Sequence, residues 1–311
     1  MRISMTLAPC SRMHPLLGFG IMALAILLAG SPAEAGEGAL FHYPTGTNTI
    51  VPALMPQPGA SIWLNYITYY TADRFNNSKG DSAVPGYELD AVAEAARVLH
   101  TWTAIGRVSW TTGIVLIASD AALQVPHRSE SGGGFGDLVV QPLILTAAFG
   151  DLHLLGGFDV SLPTGRFSKD QIVNAGLNYF TFAPQFAVTW LPTKELEASL
   201  FSTVGLNSKN PATNYTTGTY YDIDYAVGYR PIRSLPVFQM SVVGYLFVQF
   251  TDDRVNGSRF LDGHRGQAFA VGPQVRYQVG RGGITLKWQH EASAKYRPIG
   301  DRFQAQFAIP F

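Results

Sequence analysis

The side chains in this 311-residue sequence that could do chemistry are few and scattered. Its seven histidines stand at 14, 42, 100, 127, 153, 264 and 290, with no close pair at the spacing that zinc ligands need. The single cysteine, Cys10, precedes an apolar stretch and so cannot be a lipoprotein cysteine. The run Gly132-Gly133-Gly134-Phe135-Gly136 is rich in glycine, but no Gly-Lys-Ser/Thr follows. It reads as a flexible loop or strand entry rather than a phosphate loop. Asp252-Asp253 offers oxygen ligands for a divalent cation, although an Asx-type turn in a solvated loop is the favoured reading. His290 and Ser293, three apart on an expected strand, fall on opposite faces and cannot form a dyad. The sequence therefore offers no catalytic, cofactor-binding or metal-ligating set, and no cofactor is expected.

Positioning such residues would fall to strands. Tyr221, Ile223, Tyr225, Val227 and Tyr229 interleave with Asp222, Asp224, Ala226, Gly228 and Arg230. Leu196, Ala198 and Leu200 alternate with Glu195, Glu197 and Ser199. Period-two alternation gives each strand an apolar and a wet face. Twelve strands are expected, over 60–71, 87–99, 104–118, 135–149, 151–162, 179–191, 194–206, 218–230, 236–250, 265–279, 283–296 and 301–311. Gly150-Asp151, Leu191-Pro192-Thr193 and Arg281-Gly282 read as tight turns. Longer polar links over 73–85, 163–178, 207–217 and 251–264 fall on the other rim. Alternating connection lengths, and no second apolar set for the wet faces, favour an all-β transmembrane antiparallel barrel over a soluble sandwich. Twelve tilted strands close into a barrel about 24 Å across, leaving a passage on the order of 10 Å.

Composition agrees. Mean hydropathy is only +0.09, as in barrels that hide their hydrophobicity by alternation. Arg2 and Arg12 precede an apolar stretch from Leu16 to Leu28, followed by Ala33-Glu34-Ala35, which reads as a secretory signal peptide over 1–35. Without it, 20 basic and 21 acidic residues remain of the 22 and 22, so there is no basic excess for nucleic acid. The last strand alternates up to Phe311. Its terminal aromatic resembles the signal by which outer-membrane barrels reach their assembly machinery. The expected surroundings are the lipid and lipopolysaccharide of a Gram-negative outer membrane.

The wet-face parity gathers Asp90, Glu94, Arg107, Asp159, Glu195, Glu197, Asp222, Asp224, Arg230, Arg276, Lys287, Glu291 and Arg302 as candidate lumen-lining residues. They could satisfy one another across strands or line a water-filled path, and a mixed lining selects weakly for ion sign. Residues 36–58, ahead of a barrel expected over 59–311, carry Pro44, Pro52, Pro56 and Pro58 and so cannot run as a wall strand. Phe41, Tyr43, Leu54 and Met55 make this segment too apolar for a free linker. It is expected either to enter the lumen as a hatch or to hang as a periplasmic tail.

Several stretches resemble the meta-pathway phenol-degradation family of outer-membrane proteins. They include Leu162-Pro163-Thr164-Gly165, the run from Asn174 to Pro184, Asn214-Tyr215-Thr216-Thr217-Gly218, Gln249-Phe250-Thr251-Asp252-Asp253 and the run from Arg265 to Pro273. His42-Tyr43-Pro44-Thr45-Gly46 and Pro56-Gln57-Pro58-Gly59 fit as well. The resemblance covers nearly all of 38–311, with Phe180 standing where many relatives carry Trp. It implies a channel for passive uptake of small hydrophobic or aromatic compounds, linked to their degradation. A structural or adhesive barrel is the alternative, and a lipid-modifying enzyme is less favoured. Deleting Phe311 is expected to impair assembly, seen as loss of the heat-modifiable band from outer membranes.

Overall fold

The computed structural model describes residues 37–231 and 237–311. The expected signal peptide over 1–35 and a mature start at Gly36 lie outside the described residues. The described strands are β1 (Ser61–Phe75), β2 (Glu88–Ile105), β3 (Val108–Val125), β4 (Arg128–Phe135), β5 (Leu138–Phe149), β6 (Leu152–Leu162), β7 (Thr181–Trp190) and β8 (Leu196–Asn207). They continue with β9 (Tyr215–Thr216), β10 (Tyr220–Tyr229), β11 (Phe238–Gln249), β12 (Arg254–Val255), β13 (Ser258–Arg259), β14 (Gln267–Val279), β15 (Gly282–Lys295) and β16 (Pro298–Pro310). β1, β2, β3, β5, β6, β7, β8, β10, β11, β14, β15 and β16 form a closed antiparallel barrel. β1 meets β16 from Ile62 opposite Pro310 to Phe75 opposite Pro298, with one irregularity between Ala72 and Arg74. Ser61 and Phe311 extend the seam by exchanging two backbone hydrogen bonds of 3.0 Å. β9, β12 and β13 make a small separate sheet in the long-loop rim.

Twelve wall strands stand where alternation placed them, with one region different. β2 runs on to Ile105 and turns at Gly106-Arg107, past the end expected at 99, because a bulge between Thr101 and Thr103 lets pairing with β3 resume. β3 then outruns the wall, and β4 folds back along its end. The glycine run is thus paired strand rather than loop. A Cβ on Gly133 would lie 2.4 Å from the Ser119 carbonyl oxygen, so the strands close here only over glycine.

The outer face carries the apolar set. Leu116, Phe186, Val227, Val242, Leu246 and Leu286 are all exposed. Aromatic girdles bound this band. Trp190 and Tyr229 end their strands at the short-turn rim and Tyr277 stands two residues before the end of β14, and Trp102 and Trp110 also meet at this rim, at 6.2 Å. Toward the other rim Tyr69, Phe303 and Trp288 stack in a row, at 6.3 and 6.4 Å. Many inward positions are polar or aromatic and buried, among them Glu197, Asp222, Asp224, Lys287, Glu291, Tyr220, Tyr245 and Phe247.

Leu200 is exposed in the middle of β8, opposite Tyr225 in the middle of β10. Leu200→Arg is expected to destabilise the barrel by ~2–4 kcal/mol, as an arginine at the midplane of a lipid face does. Gln278→Arg, inside the barrel, should stay within ~0.5 kcal/mol. Urea unfolding in lipid vesicles compares the two.

Candidate lumen site

The segment preceding β1 passes through the barrel. Its prolines keep it out of the ladder, so its backbone groups need side-chain partners from the wall. Asp224 supplies most of them. Its carboxylate accepts from Tyr43 Oη at 2.6 Å, Gly46 N at 2.6 Å and Asn48 N at 2.7 Å. Lys287 Nζ answers by donating to the carbonyls of Gly46 (2.5 Å) and Thr47 (3.0 Å) and to Thr49 Oγ1 (3.0 Å). Glu197 accepts from Val51 N, and Thr189 Oγ1 from Ala53 N. Gly46 has φ +77°, and a Cβ there would sit 2.5 Å from Gln289 Oε1 and 2.7 Å from Tyr245 Cδ1. Only glycine makes this turn in this space.

Further up, His42 Nε2 meets Asp137 at 2.8 Å while its Nδ1 meets Thr181 Oγ1 at 2.6 Å. Asp137 fills the break between β4 and β5 and accepts as well from the backbone N–H of Gly165 and Leu177. Burial pushes its carboxyl up, but the hydrogen bonds from His42, Leu177 and Gly165 outweigh it and hold the group below its ordinary 3.8.

Two cavities lie beside the segment. One, of about 550 Å³, opens among residues of the short-turn rim and is lined by Ile50, Val51, Leu54, Met55, Ile62 and Leu64 with Arg276 and Arg281. The other, of about 80 Å³, lies among Tyr43, Val115, Ile117, Val139, Gln141 and Asp159. Thr47, Asn48, Tyr66 and Arg97 line both and form the septum. Arg97 spans it, donating from Nε to Gln141 Oε1 at 2.7 Å and from Nη1 to Asn48 Oδ1 at 3.4 Å. An apolar cavity of about 150 Å³ takes a benzene. The smaller cavity does not, so in this state a ring that enters from the short-turn rim stops at Arg97.

Of the residues gathered by parity, Asp159, Glu197, Asp222, Asp224, Arg276, Lys287, Glu291 and Arg302 lie inside the barrel. Glu291 accepts from Tyr70 Oη, Tyr245 Oη and Gly300 N, and Arg302 reaches Thr45. Five others do not line it. Asp90 and Glu94 are exposed on the outer face of β2, accepting from Tyr69 Oη (2.6 Å) and Asn65 Nδ2 (2.7 Å). On β2 it is Arg97 and Leu99 that turn inward. The strand's many alanines give too little contrast to reveal that parity. Arg107 sits in the β2–β3 turn over the Phe149 ring. Glu195 belongs to the β7–β8 turn, and Arg230 follows β10 and donates to the Lys194 carbonyl. Alternation cannot be extended past a strand end, which is why these three were misplaced.

The segment residues Phe41, Tyr43, Leu54 and Met55 all lie within the barrel. Phe41 packs on Tyr220 and Phe247, Tyr43 stacks on Phe201 at 5.4 Å, and Leu54 and Met55 line the larger cavity. Arg97 and Arg297 escaped sequence reasoning, the first by parity and the second by lying between β15 and β16. In the long-loop rim, Asp252 pairs with Arg265 (2.8 Å) and Arg259 (3.3 Å). Buried Asp253 accepts from Tyr215 Oη, Gly218 N and Gln249 Nε2. Both are occupied in fastening the loop. The separation of His290 from Ser293 also needs correction. The bulge beside Phe269 pairs Ser293 with that outward residue, so both lie on the outer face, and His290 engages Asp301 at 3.0 Å.

The family described as "Putative MetA-pathway of phenol degradation" matches residues 72–307. Among solved structures, the COG4313 outer membrane channel from Pseudomonas putida F1 superposes with a TM-score of 0.74 at 15% identity, over 87% of this chain and 100% of that one. The β domain of the Bordetella autotransporter BrkA gives 0.53 at 11% identity, over 81% and 100%. At these identities the likeness is one of fold, that of outer-membrane barrels. Among curated protein sequences none matches.

Asp224→Ala removes the acceptor of three donors and a charged neighbour of Lys287, a loss of about 3–5 kcal/mol when a buried partner is deleted. The expected outcome is a folded barrel whose residues 37–58 become protease-sensitive, read by limited proteolysis and mass spectrometry.

Proposed function

Because the chain belongs to the family described as "Putative MetA-pathway of phenol degradation", we propose that it is an outer-membrane channel admitting small hydrophobic or aromatic compounds by passive diffusion, in support of their degradation. The observation that carries this reading is the lumen cavity of about 550 Å³, lined largely by aliphatic side chains and large enough for a substituted ring. Its short-turn rim would face the periplasm and its long-loop rim the outside, as outer-membrane barrels arrange them. The segment over 37–58 acts as the hatch: its hydrogen bonds close the septum at Arg97, and its withdrawal joins the two cavities. The charges left around the path are of both signs, so the channel would be a weak selector among ions.

A barrel without transport is favoured by one observation, the 80 Å³ cavity behind the septum, which in this state passes no ring. Planar-bilayer conductance and vesicle uptake of phenol decide between the readings. Removing residues 38–55 is expected to leave a heat-modifiable barrel with larger, steadier conductance and faster phenol uptake. Folded protein that conducts nothing, with or without the segment, would establish the structural barrel.

A further inference from the structure

Phe41 occupies a cage built for a ring. Its ring lies 5.0 Å edge-on from Tyr220 and 4.6 Å from Phe247, and the Arg297 guanidinium sits over it at 5.1 Å. The same guanidinium covers Phe247 at 4.3 Å. Two aromatic faces and a cation make a site for a flat π-system.

The polar rim of this cage is unsatisfied. Asp222, directly across the β10–β11 ladder from Phe247, is 0% exposed, and its carboxylate takes no nitrogen or hydroxyl donor among the described residues, with only the carboxyl of Asp224 beside it. Arg297 Nε and Nη1 are buried and unpartnered in the same way. Elsewhere in this lumen, carboxylates at the same depth take two or three donors each, as Asp224 and Glu291 do. Buried polar groups without partners are rare and call for an explanation. A phenylalanine ring supplies none, since it has no polar atom. A ring bearing a hydroxyl would both pack where Phe41 packs and give these groups a donor and an acceptor.

We propose that the Tyr220–Phe247–Arg297 cage is a binding site for hydroxylated monocyclic aromatic compounds, which Phe41 occupies in the closed state and which such a solute takes over by displacing it. Displacement frees the start of the segment, so the solute loosens its own hatch. The inference rests on the channel reading above and specifies where and how that channel recognises its solute. The cage lies beyond the septum from the larger cavity, since Tyr220 lines only the smaller one, next to Tyr43 and Pro44 of the segment.

The test uses full-length mature protein in detergent with phenol and cyclohexanol as probes, followed by calorimetry, and in bilayers followed by conductance. Phe41→Ala, which empties the cage, is expected to tighten phenol binding about tenfold, with Phe41→Leu intermediate. Arg297→Gln should weaken phenol binding in the Phe41→Ala background. Cyclohexanol, with the hydroxyl but no π-face, should bind at least tenfold more weakly than phenol. Phenol should raise wild-type conductance and leave that of Phe41→Ala unchanged. Heat-modifiability certifies folding, and Phe41→Leu keeps the comparison open if Phe41→Ala does not assemble. Equal phenol affinity in wild type and both Phe41 variants, or equal binding of cyclohexanol, would overturn the site. Phenol flux that ignores Phe41 would sink this inference and leave the channel standing. Tightened binding without flux would do the reverse.

Discussion

A sheet edge cannot face hydrocarbon, because each unpaired N–H or C=O there has no water to turn to. The seam between β1 and β16 removes that edge, pairing the strands from Ile62 opposite Pro310 to Phe75 opposite Pro298. Ser61 and Phe311 close its last rung. Everything else follows from closure. Once the ring is complete, every strand has one face toward lipid and one toward a shared interior. The period of two then sorts Leu200 outward and Phe201 inward on the same strand.

The interior created this way gathers buried charge, with Glu197, Asp222, Asp224, Lys287 and Glu291 among it. Wall side chains settle part of it among themselves, as Glu291 does with two tyrosines. The rest is settled by a stretch of chain that has the opposite deficiency. A proline-rich segment without a ladder brings unpaired N–H and C=O groups, and Asp224, Glu197 and Lys287 have hydrogen bonds to give and take. Neither partner is stable alone in a buried place, and together they occupy the lumen between the two cavities. The segment's apolar side chains lie against the larger cavity and the aromatic cage.

Asp137 joins this interior to the long-loop rim. One carboxylate touches the segment through His42 and the 163–180 loop through Gly165 and Leu177. A change in that loop therefore reaches the segment through Asp137 and through Tyr179, whose ring meets that of His42 edge-on at 4.8 Å.

Alternation alone determined the architecture: twelve wall strands, their apolar faces outward, tight turns on one rim and long loops on the other. That is because period two is local and survives without knowledge of neighbours. The same logic placed Asp222, Asp224 and Glu197 inside, where strong apolar residues flank them. It misplaced Asp90 and Glu94 because alanine is compatible with both faces, and Arg107, Glu195 and Arg230 because they lie in or beside turns. Composition marked residues 36–58 as apolar and unable to join the wall, and left hatch and tail open. Only the tertiary structure brought Asp224, 176 to 181 residues away in sequence, onto Tyr43, Gly46 and Asn48. Only it set Phe41 between Tyr220, Phe247 and Arg297. Such contacts depend on barrel radius and register, and neither is written in any one strand.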